Sequence, residues 1–349
     1  MEDMDAPLGT ATEAGDQRAE DIAKFLAQYG TEANNDLLGE MIVTVCRLAK
    51  DQCGRGELKL LNRALKELRY AFKIFEPYAE VPKVTIFGSA RTQEDEPQYL
   101  EAVRFAELIQ KAGWMVITGA GNGIMRAGHH GAKREASFGV SISLPFEQSA
   151  NTIIAGDDKL INFKYFFTRK LMFVKEARAI ALFPGGFGTQ DEGFEALTLV
   201  QTGKTTPLPI VMCDEPGGTY WHHWRTYVKS ELLHHGMIDE EDMNLFTITD
   251  HADDAVAEIL RFYRRYHSSR YVDDDLVLRL KAPLSEDEVA RLNRDFADLL
   301  AEGEIRQADR PLPKETGEYP TLPRLVMRYH RKNAARLRQM INAINDTAN

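Results

Sequence analysis

The chain has 349 residues, 44% of them hydrophobic and 28% charged, enough apolar mass for one large or two modest globular domains. Fifty-three acidic against 43 basic side chains leave a formal charge of −10, which argues against non-specific nucleic-acid binding. No apolar run reaches the roughly 18 residues of a membrane span, so no membrane partner is expected.

Residues 1–15 show no periodicity and are expected to form a disordered tail. The acidic, Ala/Gly-rich start from Met1 to Glu20 also lacks the pattern of a secretory signal, and a cytoplasmic location is expected. From Asp16 to about Phe75 the pattern is helical, giving a helical extension over 16–79. Its clearest piece sets Leu58, Leu61, Leu65, Leu68, Phe72 and Phe75 on one stripe at alternating three–four spacing. Such a stripe must be covered, by the rest of the chain or by another subunit, and a homo-oligomer, at least a dimer, is expected.

The texture then changes. Val84–Phe87 is a short β run ending in Gly88-Ser89, followed by a helix over Gln98–Ala112 and a second β run, Trp114–Thr118. The glycine turn Gly119-Ala120-Gly121-Asn122-Gly123 leads into a short helix and then the strand Val140–Leu144. Later strands are expected at Ala179–Phe183, Leu208–Cys213 and Phe246–Thr249, with helices including Phe194–Gln201 and Trp221–Leu233. Short apolar strands alternating with helices predict a parallel sheet covered on both faces, a doubly wound α/β domain over 80–266. Ligands of such domains sit beyond the C-terminal ends of the strands, where the glycine turns fall. After Tyr266 the alternation stops. A strand (Leu276–Leu280), a helix capped by Ser285 (Glu286–Leu300), strands at Gly303–Gln307 and Leu325–Tyr329, and a closing basic helix near Lys332–Ala343 predict a small α+β module over 267–349, or an arm packed on a neighbour.

The strongest chemical signal is Pro184-Gly185-Gly186-Phe187-Gly188-Thr189-Gln190-Asp191-Glu192, between a strand and a helix. Its glycines let the backbone approach a ligand without Cβ interference. The helix start offers free N–H groups and partial positive charge to a phosphate, and Thr189 adds a hydroxyl. The same Thr-x-x-Glu spacing is also a capping box, in which Glu192 would only bond back to the Thr189 backbone. A second glycine turn, Gly119 to Met125, also joins strand to helix, but it is not GxGxxG. No acidic residue follows at dinucleotide spacing, so a nicotinamide cofactor is not supported. Arg169-Lys170, early in an amphipathic helix, and Glu147, in Leu144-Pro145-Phe146-Glu147-Gln148 at a strand end, stand where they can converge on one pocket.

Other signals fail. Gly203-Lys204-Thr205 imitates the end of a Walker motif, but Thr198 holds the place of the first glycine. The pairs His129-His130, His222-His223 and His234-His235 lack metal-ligand spacing. Cys46, Cys53 and Cys213 form no CxxC and read as reduced thiols. No GxSxG elbow occurs. No metal, cofactor or covalent nucleophile is expected.

Together these motifs resemble the LONELY GUY (LOG) family of Rossmann-like proteins. Pro184–Glu192 matches the family's PGGxGTxxE at every specified position. Phe167–Lys170 looks like its Arg-Lys helix motif, Gly119–Met125 like its first glycine loop, Gly88-Ser89 like its opening turn, and Leu144–Gln148 like the LPFEQ variant of longer bacterial members. The resemblance covers roughly residues 83–265. It departs at Gly119-Ala120-Gly121, where Gly-Gly-Gly is usual, and at Arg126, where a small or acidic residue is common. It implies a phosphoribohydrolase acting on nucleoside 5′-monophosphates, AMP or cytokinin nucleotides among them, that releases free base and ribose 5-phosphate. It also implies assembly into dimers or higher oligomers. Arg169 and Glu192 would be the catalytic pair. The phosphate would sit over Gly186, Gly188 and Thr189, where repulsion from Asp191 and Glu192 calls for a nearby cation that Arg169 supplies. Gly185, Asp191, Gly88, Ser89, Gly119, Gly121, Gly123, Met125, Glu147 and Lys170 would complete the substrate site. The family was long labelled lysine decarboxylase, but no Schiff-base lysine is evident. Other members of the wider superfamily only bind, as nucleotide sensors or molybdenum-cofactor carriers, and that is the alternative reading.

Overall fold

The computed structural model describes residues 13–29, 34–143, 150–315 and 319–347. They form two compact units, Met1–Glu67 and Leu68–Asn349. In the first, α1 (Glu13–Ala27) and α2 (Asn35–Lys50) pack together, and the first turns of α3 (Arg55–Phe75) complete it. Gly39 of α2 lets the Ile22 side chain of α1 come close. Helix α1 starts at Glu13, inside the segment expected to be a tail; residues 1–12 lie outside the described residues.

The second unit contains a seven-stranded parallel sheet in the order β4-β3-β2-β1-β5-β6-β7. Its strands are β1 (Lys83–Phe87), β2 (Met115–Thr118), β3 (Ser137–Ile142), β4 (Leu160–Phe163), β5 (Ala179–Leu182), β6 (Ile210–Cys213) and β7 (Phe246–Thr249). All residues of β1, β2, β5 and β6 are buried, which is why they read as predominantly apolar runs, with Thr85 satisfied by donating to the Phe173 carbonyl at 2.7 Å. Helices α4 (Pro97–Lys111), α5 (Ile124–Ala132) and α9 (Ala252–Phe262) cover one face. The other face is covered by the end of α3 with α6 (Phe166–Lys175), α7 (Phe187–Gln201) and α8 (Tyr220–Tyr227). Phe75 stacks on Phe138 of β3 at 4.4 Å. The apolar stripe of α3 is therefore split: Phe75 is buried, while Leu58, Leu61 and Leu65 are exposed.

The chain continues into a four-stranded antiparallel sheet, β10-β11-β9-β8, made of β8 (Tyr266–Val272), β9 (Asp275–Leu280), β10 (Leu300–Ala308) and β11 (Arg324–Tyr329). Helices α10 (Glu286–Asp295) and α11 (Ala334–Asp346) share one apolar core with it. Helix α11 also ties back to the α/β sheet: buried Arg338 donates to the Leu208 carbonyl at 2.9 Å and pairs with Glu258 at 3.1 Å. The protein is thus α/β, with a doubly wound parallel sheet, an N-terminal helical extension and a small C-terminal α+β part.

Three expectations need correction. Ser285 does cap α10, in a reciprocal capping box with Glu288, but the helix ends at Asp295 because Leu300 enters β10 and pairs with Tyr329. The segment Trp221–Leu233 is two pieces, α8 and a wider π-helical turn over Val228–Leu233. The third β-run lies over Ser137–Ile142; Leu144 and the rest of the LPFEQ segment, Glu147 included, lie outside the described residues.

Candidate functional site

Strands run outward in opposite order from β1, so β1 and β5 are neighbours although three strands separate them in sequence. This is a switch point, where the two connections leave in opposite directions and open a crevice at the strands' C-terminal edge. Phe87 pairs with Leu182, so the turns that follow, Gly88-Ser89 and Pro184-Gly185-Gly186, emerge side by side. The Ser89 N–H donates to the Pro184 carbonyl at 3.0 Å, and the Ser89 carbonyl accepts from Ile124 N–H at 3.0 Å. One short turn therefore locks both glycine loops together.

Several of the glycines have specific steric reasons. A Cβ on Gly88 would sit 2.6 Å from Ile124 Cβ, and one on Gly185 would strike Thr189 Oγ1. Gly123 has φ 59° and lies against the Ser89 carbonyl. Gly186 and Gly188 differ: a Cβ at either meets nothing within 4 Å. They border a cavity of about 840 Å³ also lined by Gly88, Ser89, Arg91, Gly119, Met125, Phe166, Arg169, Gly185, Thr189, Asp191, Glu192 and Tyr220. The expected site residues Gly121, Gly123 and Lys170 do not line it. Gly123 instead borders an adjoining polar cavity of about 500 Å³ with Arg91, Asn122 and Arg126.

Helix α7 begins inside the motif. Gly186 is its N-cap and Thr189 its third residue, with Thr189 N–H and Gln190 N–H both reaching the Gly186 carbonyl. No side chain caps this helix, so the Thr189–Glu192 capping box is excluded. Phe187 and Gly188 occupy the first two helical positions, whose N–H groups have no intrahelical acceptor, and they face a site suited to an anion.

Arg169 is fixed from two sides. Its Nε donates to the Val140 carbonyl of β3 at 3.0 Å, and its guanidinium lies over the Phe173 ring at 5.0 Å. Its Nη2 reaches the first glycine loop so closely that a Cβ on Gly119 would be 2.6 Å from it. The Glu192 side chain is only 11% exposed. Burial pushes its carboxyl up to about 7, and Glu195 and Asp191 push the same way, against the opposing pull of Lys170 and Arg169. Lys170 is occupied elsewhere: its ammonium lies 2.5 Å from Glu195, 2.8 Å from Asp191 and 4.0 Å from Glu192. Burial works against that ammonium, but hydrogen bonds to Asp191 and Glu195 outweigh it and its pKa is raised.

Tyr220 carries no motif, yet its hydroxyl donates to the Gly185 carbonyl at 2.5 Å and accepts from Gln190 at 2.6 Å. It pins the second loop from α8, far along the chain, and nothing in local spacing signals it. The first loop rests on a buried polar set. Thr118 Oγ1 accepts from Ala120 N–H at 3.0 Å and lies 3.0 Å from His129 Nε2. Asn151 Nδ2 donates to the Ala120 and Gly121 carbonyls at 3.1 and 2.9 Å. Burial lowers the His129 pKa to about 4, so the ring is neutral near pH 7.

A doubly wound α/β domain with a glycine-walled cavity at its switch point is the class that this geometry defines. A family model described as "Possible lysine decarboxylase" matches residues 120–259, a segment inside the stretch 83–265 over which the motifs resemble the LOG family. Decarboxylation of the kind that description names would hold pyridoxal phosphate on a neutral lysine. Lys170 is held charged by three carboxylates and does not line the cavity, so these residues do not fit that cofactor. Among curated proteins no sequence matches the chain. Solved structures that are similar include a Moco carrier protein from Chlamydomonas reinhardtii (19% identity, 51% of this chain and 95% of that one, TM-score 0.36). A molybdenum cofactor binding protein from Rippkaea orientalis gives 19%, 51%, 95% and 0.38. DNA processing protein A from Helicobacter pylori gives 13%, 52%, 82% and 0.35.

Proposed function

We propose that the protein hydrolyses the N-glycosidic bond of nucleoside 5′-monophosphates, with Arg169 and Glu192 as the catalytic pair. The observation that carries this reading is the shielded Glu192 carboxyl, raised to about 7 in the same cavity as Arg169 and the open glycines of α7. The phosphate lies over Gly186, Gly188 and Thr189. Cleavage builds positive charge on the ribose, as in glycoside hydrolysis. Ionised, Glu192 stabilises that charge and takes a proton from the attacking water; with a pKa near the working pH it accepts and returns protons readily. Lys170 offsets the charge of Asp191 beside the phosphate, and the Arg169 guanidinium, which lines the same cavity, brings positive charge to the substrate. Phe166 and Phe187, the latter 96% exposed, form an apolar lip suited to a flat base.

A non-catalytic nucleotide or cofactor carrier would use the same cradle, but it gains nothing from a buried carboxylate that destabilises the fold when ionised. Purified protein should release free base from at least one of AMP, GMP, CMP, UMP and a cytokinin nucleotide. Glu192→Gln should lower that rate more than tenfold, or about 1.4 kcal/mol in the barrier, with nucleotide binding kept. Binding without base release, or full activity in Glu192→Gln, would refute the enzymatic reading and leave the carrier.

A further inference from the structure

Three carboxylates of α7, Asp191, Glu192 and Glu195, surround one ammonium, that of Lys170 on α6. On a helix, residues at i and i+1 point about 100° apart, and i+4 returns beneath i and i+1. Glu195 therefore lies one turn along from the Asp191–Glu192 pair and reaches the same lysine. The ammonium is not shared evenly. It is in direct contact with Glu195 at 2.5 Å and Asp191 at 2.8 Å, and only at the edge of ion-pair range from Glu192 at 4.0 Å. The Asp191 side chain is 61% exposed and its pairing is weakened by solvent, whereas Glu195 is 32% exposed and Lys170 18%. The dominant partner of Lys170 is thus Glu195, which does not line the cavity.

We propose that Glu195 is a positioning residue of the site: it draws the Lys170 ammonium off Glu192 and so leaves the Glu192 carboxyl able to carry a proton. This deepens the hydrolase reading and, for its bearing on catalysis, rests on it. The charged groups facing Glu192 are Arg169 and Lys170 from α6 and Asp191 and Glu195 from α7. With Glu195 present, they total two cations against two anions around Glu192, and Lys170 is held by the anions. Remove the Glu195 charge and Lys170 swings toward Glu192, while one repelling charge is lost. Both effects favour the ionised form. The carboxyl that needs a proton affinity near neutrality thereby owes it to two things, its burial and a competitor for the Lys170 ammonium.

The test reads Glu192 directly. Full-length protein labelled with ¹³C at the glutamate carboxyl carbon is titrated from pH 4 to 9, and the Glu192 signal is identified by its loss in Glu192→Gln. In Glu195→Gln the Glu192 midpoint should fall so that its proton affinity drops about tenfold or more. In Lys170→Met it should move the opposite way. A merely structural Glu195 predicts no displacement, or the same direction in both variants, and either result overturns the proposal. Should Glu195→Gln fail to fold, the Lys170→Met titration together with Glu195→Asp, which keeps the charge and should leave the midpoint near wild type, decides the matter. The titration needs no turnover, so its outcome is separate from that of the hydrolase reading. If base release is observed, the pH limb that reports Glu192 should move to lower pH in Glu195→Gln by the same amount.

Discussion

Glu192→Gln should make the fold more stable at alkaline pH than at acid pH, relative to wild type. Folding raises this carboxyl from 4.5 to about 7, so the folded state holds the proton more tightly than the unfolded chain. The sign follows: the contribution of Glu192 is harmless below about pH 4.5, becomes a cost as pH rises, and is complete above pH 7. At about 1.36 kcal/mol per pH unit the full cost is roughly 3 kcal/mol, of which about 2–3 develops between pH 5 and pH 8. The side chain is 11% exposed, so little of this is lost to solvent screening. Gln is uncharged at every pH, and any change it makes to packing is common to both conditions. Urea unfolding or calorimetry of both proteins at pH 5 and pH 8 isolates the term, with the variant gaining about 2–3 kcal/mol, or roughly 5 °C in Tm, on going to pH 8. A difference between the two proteins that stays constant within about 0.5 kcal/mol, or that grows toward acid, would refute the burial argument.

His129 gives the opposite pH dependence. Buried neutral with a pKa of about 4, it stabilises fully above about pH 6.5 and loses that contribution as pH falls toward 4, so thermal melts of His129→Gln should flatten the acid side by up to about 3 kcal/mol. Gly188→Ala should raise Tm slightly, since Ala favours a helix by up to about 1 kcal/mol and no atom lies within 4 Å of the new Cβ; calorimetric titration with AMP should show weaker binding, and unchanged binding would move the phosphate off this loop. Light scattering after size exclusion should find at least a dimer, because Leu58, Leu61 and Leu65 are about half exposed on α3 and each forfeits about half of the roughly 1.5–3 kcal/mol that full burial is worth; Leu61→Asp with Leu65→Asp should dissociate it, and a wild-type species at 39.5 kDa would defeat the prediction.

The parts of the fold legible in the sequence are those in which burial leaves no choice. Strands β1, β2, β5 and β6 are buried along their whole length, so Val84–Phe87 and its counterparts are mostly apolar, with the odd hydroxyl such as Thr85 tied to a carbonyl. Strand β4 escaped notice because Leu160–Phe163 is four residues at the sheet edge with exposed Asn162, too short and mixed to give a period. The end of α10 is hidden because Ala297–Leu299 still turns, as a 3-10 helix, before Leu300 enters β10 and pairs with Tyr329. In the site, glycine density marks the second loop, which does border the cavity, but the side-chain rules for helix starts point to Thr189. Gly186 caps by backbone alone and leaves no side chain to read. Arg169 and Lys170, adjacent in sequence, were read as one basic pair; on a helix neighbours diverge by about 100°, and one meets the cavity while the other meets three acids.

Ala120 shows how the pieces depend on one another. It sits at φ 64°, in the left-handed region that costs a non-glycine residue roughly 1–2 kcal/mol. The usual remedy is glycine, yet here the methyl is buried against the position of Gly139, and its removal would forfeit about 0.8 kcal/mol. The burial offsets only part of the strain, so Ala is tolerated only while something else holds the backbone in place. Asn151 does this by binding the Ala120 and Gly121 carbonyls and donating its own N–H to Ala120 at 2.9 Å, and Asn151 is in turn set by neutral His129. The same loop carries Gly119, against which the Arg169 guanidinium rests. A buried, uncharged network behind the sheet edge thus fixes where the catalytic candidate in front of it stands, which is why the polar residues Thr118, His129 and Asn151 are worth burying.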